Sequence, residues 1–194
     1  MYNIVNVSEL HKLEEENEQL DDNEREIRSN LIEEIMEKIT EYDAHIWKYQ
    51  YDNYLKELIT RGIEFIPVNR DEVVSKWDKM FDSLVSDQTR KNTKHYSNQF
   101  RWHLFSFELL PVKKESSAQI AFDSQEKDTL YWFFEYAKEA YLIKNAHLLK
   151  ASDFDILSEY STLNNADMYV YDPSGKWTYI KTHEELCGPY FFLL

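Results

Sequence analysis

A chain of 194 residues that is 43% hydrophobic and 15% aromatic can bury a core, which excludes wholesale disorder. Three glycines and four prolines leave little material for tight turns or Gly-rich phosphate loops, and a single cysteine, Cys187, excludes an intramolecular disulfide framework. The formal net charge of −14 disfavours nucleic acid as a partner.

The charge is unevenly spread. The first sixty residues carry sixteen Asp/Glu against six Lys/Arg, whereas the other 134 hold twenty acids and sixteen bases. This asymmetry divides the chain into an acidic helical extension, residues 1–61, and an α+β domain, residues 62–194. No basic region followed by an apolar run opens MYNIVNVSELHKLEEE, so no signal peptide is expected. The longest apolar clusters, such as Leu130 to Phe134, are too short to span a bilayer. The expectation is a cytoplasmic protein with no membrane association.

Val7-Ser8-Glu9 reads as a helix start with Ser8 as cap. Leu10, Leu13, Asn17 and Leu20, then Glu24, Ile27 and Leu31, recur at spacings of three and four. In a two-stranded coiled coil, Asn17 at a seam position would fix register. Asp21-Asp22-Asn23 equally suits a turn between two antiparallel helices, and this hairpin is preferred. A long helix follows from Asn23 to Arg61, stopped by Gly62. Ile27, Leu31, Ile35, Ile39, Tyr42, Ile46 and Tyr49 fall on one face, to be covered by the first helix or by a second copy. Glu33, Glu34, Glu37 and Glu41 project from the opposite side. After Gln50 the apolar set moves round the helix to Tyr51, Tyr54, Leu55, Leu58 and Ile59, so Tyr54 to Ile59 should dock on the C-terminal domain.

Ile63 to Val68 reads as a short strand that Pro67 ends or places at an edge. Asp71 to Val85 reads as a helix capped by Asn69 or Asp71, with Val73 or Val74, Trp77, Phe81 and Leu84 buried. Residues 88–107 contain no acid but carry Arg90, Lys91, Lys94 and Arg101 with His95 and His103; the simplest role of this basic island is to neutralise the chain's own acidic helix. Periodicity leaves Phe100 to Leu110 open between helix and strand. Ala118 to Glu126 reads as a short helix and Leu130 to Phe134 as a buried strand. Ala137 to Leu149 reads as a helix burying Ala140, Ile143, Ala146 and Leu149. Asp167 to Thr182 forms a β-hairpin in which Pro173 presets the turn and Gly175 supplies positive φ. The apolar end, Tyr190 to Leu194, should be tucked into a core or an interface.

His183, Glu184, Glu185 and Cys187 cluster within five residues, and His103 lies elsewhere. A Cys–His pair suits a nucleophile or a metal, and Glu184 with Glu185 suits acid/base work. The spacing H-E-E-x-C matches no metal-ligand pattern, and the chain holds no G-x-G-x-x-G, G-K-[ST], H-E-x-x-H or G-x-S-x-G. The plainer reading makes Cys187 a small buried hydrophobe.

At WHLFSFE (Trp102 to Glu108), DMYVYDPSGKWTYIKTHEE (Asp167 to Glu185) and CGPYF (Cys187 to Phe191) the chain resembles a family of small bacterial proteins, domain of unknown function four-two-seven-five. The resemblance runs from about Leu55 to the end. It rests on Trp102, His103, Trp177, Thr178, Tyr179, Thr182, His183, Glu184, Cys187, Gly188 and Pro189. It implies an intracellular setting in Gram-positive spore formers and their phages, and brings no reaction with it. The acidic first sixty residues lie outside the family pattern.

Three functions follow as expectations. The first is a non-enzymatic binding protein that inhibits or neutralises a basic protein partner, a toxin or defence protein, through Glu33, Glu34, Glu37 and Glu41. Immunity proteins, antitoxins and phage anti-defence proteins work in this way. The second is a small hydrolase-like or metal-dependent enzyme using His183, Glu184 and Cys187 with His103. The third is a structural module that forms a homodimer through Leu10, Leu13, Asn17, Leu20, Ile27 and Leu31. The leading expectation needs no cofactor and no metal.

Overall fold

The structure is a computed structural model that describes residues 5–92, 100–161, 167–184 and 186–194. It contains two compact units, Met1–Tyr51 and Asp52–Leu194. Among the described residues no helix is long and apolar enough to cross a membrane.

The first unit is a helical hairpin. α1 (Ser8–Glu16) runs through a 3₁₀ turn, Asn17–Gln19, into the long α2 (Asp22–Thr60). Asp21 starts α2 by accepting the Glu24 N–H at 2.9 Å. Arg25 reaches back to the carbonyls of Asn17 and Leu20, each at 3.1 Å, and Asn17 Nδ2 donates to Ser29 Oγ at 3.1 Å. The preferred hairpin is therefore what forms, and Asn17 is spent within the chain rather than on a seam between chains. At the start of α1 no side chain makes a capping bond; Asn6 Oδ1 instead accepts the Ser8 N–H at 3.0 Å, so Ser8 is not the cap.

The face that α2 buries also differs from the expected one. Ile27, Leu31, Ile35, Tyr42 and Tyr49 are exposed, whereas Ile32, Asp43 and Tyr51 are buried and Met36, Ile39, Trp47 and Gln50 are half-buried. At roughly 100° per residue the buried seam lies about a quarter turn round from the expected stripe. The helix carries apolar residues on both lines, and periodicity alone cannot choose between them. The bonds from the turn to Arg25 and Ser29 bring the chain back along the Ile32 side.

In the second unit α2 ends at Gly62, whose φ of +101° lets its N–H bond to Ile59 O at 2.9 Å while the Ile63 N–H reaches Leu58 O at 3.2 Å. Leu58 is fully buried and Tyr54 donates to Asp153 at 2.8 Å, as the docking expectation required, but Ile59 is 54% exposed. The strands are β1 (Glu64–Pro67), β2 (Lys113–Lys114), β3 (Thr129–Phe134), β4 (Ala140–Lys144), β5 (Met168–Asp172), β6 (Trp177–Lys181) and β7 (Tyr190–Leu193). They form one antiparallel sheet in the order β1-β4-β3-β5-β6-β7-β2, with the Pro67 strand at an edge. The helices are α3 (Arg70–Met80), α4 (Asp87–Asn92), α5 (His103–Ser106), α6 (Glu115–Ser124) and α7 (Ala151–Glu159). The fold is α+β.

Alternation along the strands sends one set of side chains to each face. Phe133, Tyr169, Tyr171, Ile180, Tyr190 and Phe192 pack with Trp77 and Phe81 of the α3 segment and Phe105 of α5. On the other face Trp132, Tyr179 and Trp177 meet Phe122 of α6 or Phe154 of α7. Phe100 to Leu110 resolves as turns around the one short helix α5.

Three local expectations are corrected. Ala137 to Leu149 is not a helix: β4 pairs with both β1 and β3, and a 3₁₀ turn at Ala146–Leu148 follows. Ala140, Ile143, Ala146 and Leu149 are all buried, because a strand followed by a tight turn can bury the same positions as a helix. After Met80 the chain leaves α-geometry for a 3₁₀ turn, which exposes Leu84 and buries Val85. In the hairpin the positive φ belongs to Lys176, not Gly175. Gly175 is needed for space, since a Cβ there would lie 2.8 Å from the Trp177 ring.

Candidate functional site

The turn after β6, the start of β5 and the approach to α5 meet at one end of the second unit. The base of this region is a buried carboxylate. Glu135 follows β3 and is 6% exposed. It takes Arg101 Nη1 at 2.5 Å, the Arg101 backbone N–H at 3.1 Å and the Tyr169 hydroxyl. The Trp102 N–H donates to Tyr169 Oη at 3.2 Å, and the other edge of Arg101 bonds to Asp78 at 2.8 Å. Burial, then the charge of Glu135, holds the Tyr169 phenol well above its ordinary value. Burial opposes the Arg101 charge, but Asp78 and Glu135 more than offset it and raise its pKa. A buried charge is tolerated when every lone pair has a donor, and this set fixes Trp102 and His103 against the sheet.

Above it lies Asp167, 4% exposed, whose Oδ1 accepts both the backbone N–H and ring Nδ1 of His183 at 2.8 Å. That bond places the imidazole proton on Nδ1 and leaves Nε2 facing Glu184 Oε1 at 4.0 Å. The His183 ring centre is 5.4 Å from Phe100 and 6.2 Å from Trp102. His103 sits edge-on to Trp102 at 4.4 Å and to Phe100 at 5.2 Å. Burial lowers the His103 pKa against the pull of Glu184, Asp167 and Glu135.

Cys187 completes the row. Its thiol bonds to Glu184 and Tyr190, and burial followed by Glu184 raises its pKa above 9.0. Burial and the neighbouring thiol push Tyr190 up to about 12. The turn is tied by the Cys187 N–H to Glu184 O at 3.1 Å and by Thr182 Oγ1 within reach of the Glu184 and Cys187 carbonyls. Gly188 has φ +93°, and a Cβ there would meet the Tyr190 ring at 3.2 Å.

The structure thus brings His183, Glu184 and Cys187 together, with His103 near the same rings; Glu185 lies outside the described residues. The carboxylate-held imidazole can take a proton at Nε2. The thiol stays protonated at neutral pH, which is unfavourable for a nucleophile. Among the described residues no group of three His, Cys, Asp or Glu side chains is placed to hold a metal ion. Asp167 and Glu135 are absent from the sequence-derived site. Asp167 was within reach: the hairpin register pairs Met168 with Lys181, so Asp167 falls beside Thr182 and His183. Glu135 carries no such signal.

The other candidates lie in the first unit. Glu33, Glu34, Glu37 and Glu41 are exposed on α2, and Lys38 bonds to Glu41 at 2.9 Å. Leu13, Ile27 and Leu31 are exposed, Leu10 and Leu20 are half-buried, and Asn17 is buried. Arg90 pairs with Asp82 at 2.8 Å and Arg101 with Asp78 and Glu135, all in the second unit, while Lys94 and His95 lie outside the described residues.

No curated protein and no solved structure matches the chain. A family model described as a domain of unknown function, DUF4275, matches residues 63–191, a span that takes in β1 through Phe191 of β7 and the whole candidate site. The chain therefore belongs to the DUF4275 family, carrying its acidic helical hairpin ahead of the matched region.

Proposed function

We propose that this is a cytoplasmic, non-enzymatic binding protein that inhibits or neutralises a basic macromolecular partner through the acidic face of α2. Immunity proteins, antitoxins and phage anti-defence proteins are the types it fits. One observation carries the reading. Four carboxylates lie uncovered on one helix, while Arg61, Arg90 and Arg101 are committed to Asp153, Asp82 and the Asp78–Glu135 pair. Lys38 bonds to Glu41, but the excess of negative charge on this face speeds and orients association with a basic surface. The test is capture of a partner from the native host, followed by affinity measurements over a range of salt. Affinity should fall as salt rises, and reversal of Glu33, Glu34, Glu37 and Glu41 to Lys should abolish the biological effect in a folded protein. Flat salt dependence together with full potency of the reversed variant overturns the proposal.

A second reading rests on His183 held by Asp167 beside Glu184 and Cys187. This arrangement supports proton transfer rather than attack by the thiol. If His183→Asn removes the biological effect while the charge-reversed helix keeps it, the enzyme reading replaces the first.

A further inference from the structure

An apolar line of α2 stays exposed in the hairpin. Ile27, Leu31, Ile35, Tyr42 and Tyr49 are 61%, 57%, 39%, 52% and 64% exposed. At about 1.5 Å per residue they form a stripe some 33 Å long, the length of a partner helix of roughly twenty residues. Midway along it lies a recess lined by Val5, Glu34, Ile35, Lys38, Ile39 and Tyr42. Patches of this size on a soluble protein mark interaction sites. One long edge of the stripe is charged. At roughly 100° per residue Glu34 and Glu41 lie directly beside it, with Glu37 and Glu33 farther round the same side, and Lys38 at the same edge bonds to Glu41 at 2.9 Å, leaving the edge with an excess of acid.

We propose that the stripe receives a basic amphipathic helix, its apolar face along Ile27, Leu31, Ile35, Tyr42 and Tyr49 and its lysines or arginines against Glu34, Glu37 and Glu41. The inference rests on the acidic-face reading and adds to it the form of the partner. Helix-in-groove recognition uses anchors at such spacings, and flanking charges select orientation. A second copy fits poorly. Packed antiparallel about a two-fold axis, it would bring Glu34 and Glu41 of one chain to the same edge of the other, like charge against like. Both copies also carry a formal net charge of −14.

The test titrates a synthetic helical peptide of leucine and lysine, about twenty residues long with leucines at i, i+3, i+4 and i+7, into the full chain at low and high salt. The controls are the same composition scrambled and the same leucine pattern with glutamate for lysine. The patterned basic peptide should bind at least about tenfold tighter than either control. Leu31→Asp with Ile35→Asp should cost at least about tenfold, with helix content unchanged because both sites are exposed. Reversal of Glu34 and Glu41 should weaken binding chiefly at low salt. If the stripe variant binds as wild type while charge reversal abolishes binding, the helix-in-stripe inference fails and the acidic-face reading stands. If charge reversal changes nothing, the acidic-face reading fails. A chain that sediments as a dimer, and as a monomer with Leu31→Asp and Ile35→Asp, assigns the stripe to self-association and overturns the inference.

Discussion

The two units spend their large side chains in opposite ways. The second unit buries Trp77, Trp102, Trp132 and Trp177 to 2% exposure or less, among aromatic side chains on both faces of its sheet. The first unit buries Val7, Asn17, Ile32, Asp43 and Tyr51, two of them polar, and leaves Leu13, Ile27, Leu31, Ile35, Tyr42 and Tyr49 in solvent. A sheet with two covered faces has a closed interior whose stability is its own. A two-helix hairpin has one seam, and any second apolar line on its longer helix must remain outside. The contrast teaches that a two-helix hairpin leaves an apolar line uncovered along its longer helix, whereas the α+β unit closes an aromatic core on both faces of its sheet.

The strongest way to break this comparison is to hollow out the closed interior. Trp77 is fully buried, meets Phe81, Phe105, Phe133 and Tyr169, and donates Nε1–H to Thr178 at 3.0 Å. Trp77→Ala should cost about 3–5 kcal/mol, enough to lose near-ultraviolet dichroism and the cooperative urea transition at modest temperature. An unchanged transition would mean that the aromatic layer is not what holds the unit together. The next effect tests packing at a turn. Gly175→Ala places a methyl 2.8 Å from the Trp177 ring and 3.0 Å from Asp172 Oδ2, so about 1–3 kcal/mol should be lost. Smaller again is Asn17→Ala in the hairpin, which removes the bond to Ser29 and should cost about 1 kcal/mol. Sedimentation should show the same oligomeric state before and after, because Asn17 Nδ2 donates to Ser29 within the chain; a change of state would restore Asn17 to an intermolecular seam.

Where one pattern fits one structure, the sequence was enough. The hairpin from Met168 to Lys181, the α3 segment capped by Asn69 and the long helix ended by Gly62 are specified by local turn and cap chemistry. The failures share a cause: two structures that fit one pattern. Ala140, Ile143, Ala146 and Leu149 suit a helical face or a strand and turn, and pairing with β1 and β3 decides. The two apolar lines of α2 are equally periodic, and the partners of Asn17 and Arg25 decide. At the candidate site His183, Glu184 and Cys187 are neighbours in sequence and were visible as a cluster. Glu135 follows β3 and Tyr169 lies in β5, neighbours in a sheet whose order no local signal encodes.

The finest probe of the comparison is pH, applied where the closed interior meets the candidate site. Burial among Trp102, Phe100 and Phe107 lowers the His103 pKa below its ordinary 6.5, despite the acids Glu184, Asp167 and Glu135. The unfolded chain then takes a proton near 6.5 while the folded chain waits for a lower pH. In that window the unfolded state binds more protons, so stability rises with pH. The contribution of His103 is present above about pH 6.5 and is lost as pH falls through the folded value. His103→Gln is neutral throughout, so its stability should fall less than that of the wild type between about pH 7.5 and about pH 5.5. Urea midpoints at the two pH values measure the difference, which should be the smallest of the four effects. Parallel losses in the two proteins, or a His103 proton resonance titrating at or above 6.5, would show that this ring is solvated. The packed interior would then stop short of the family motif.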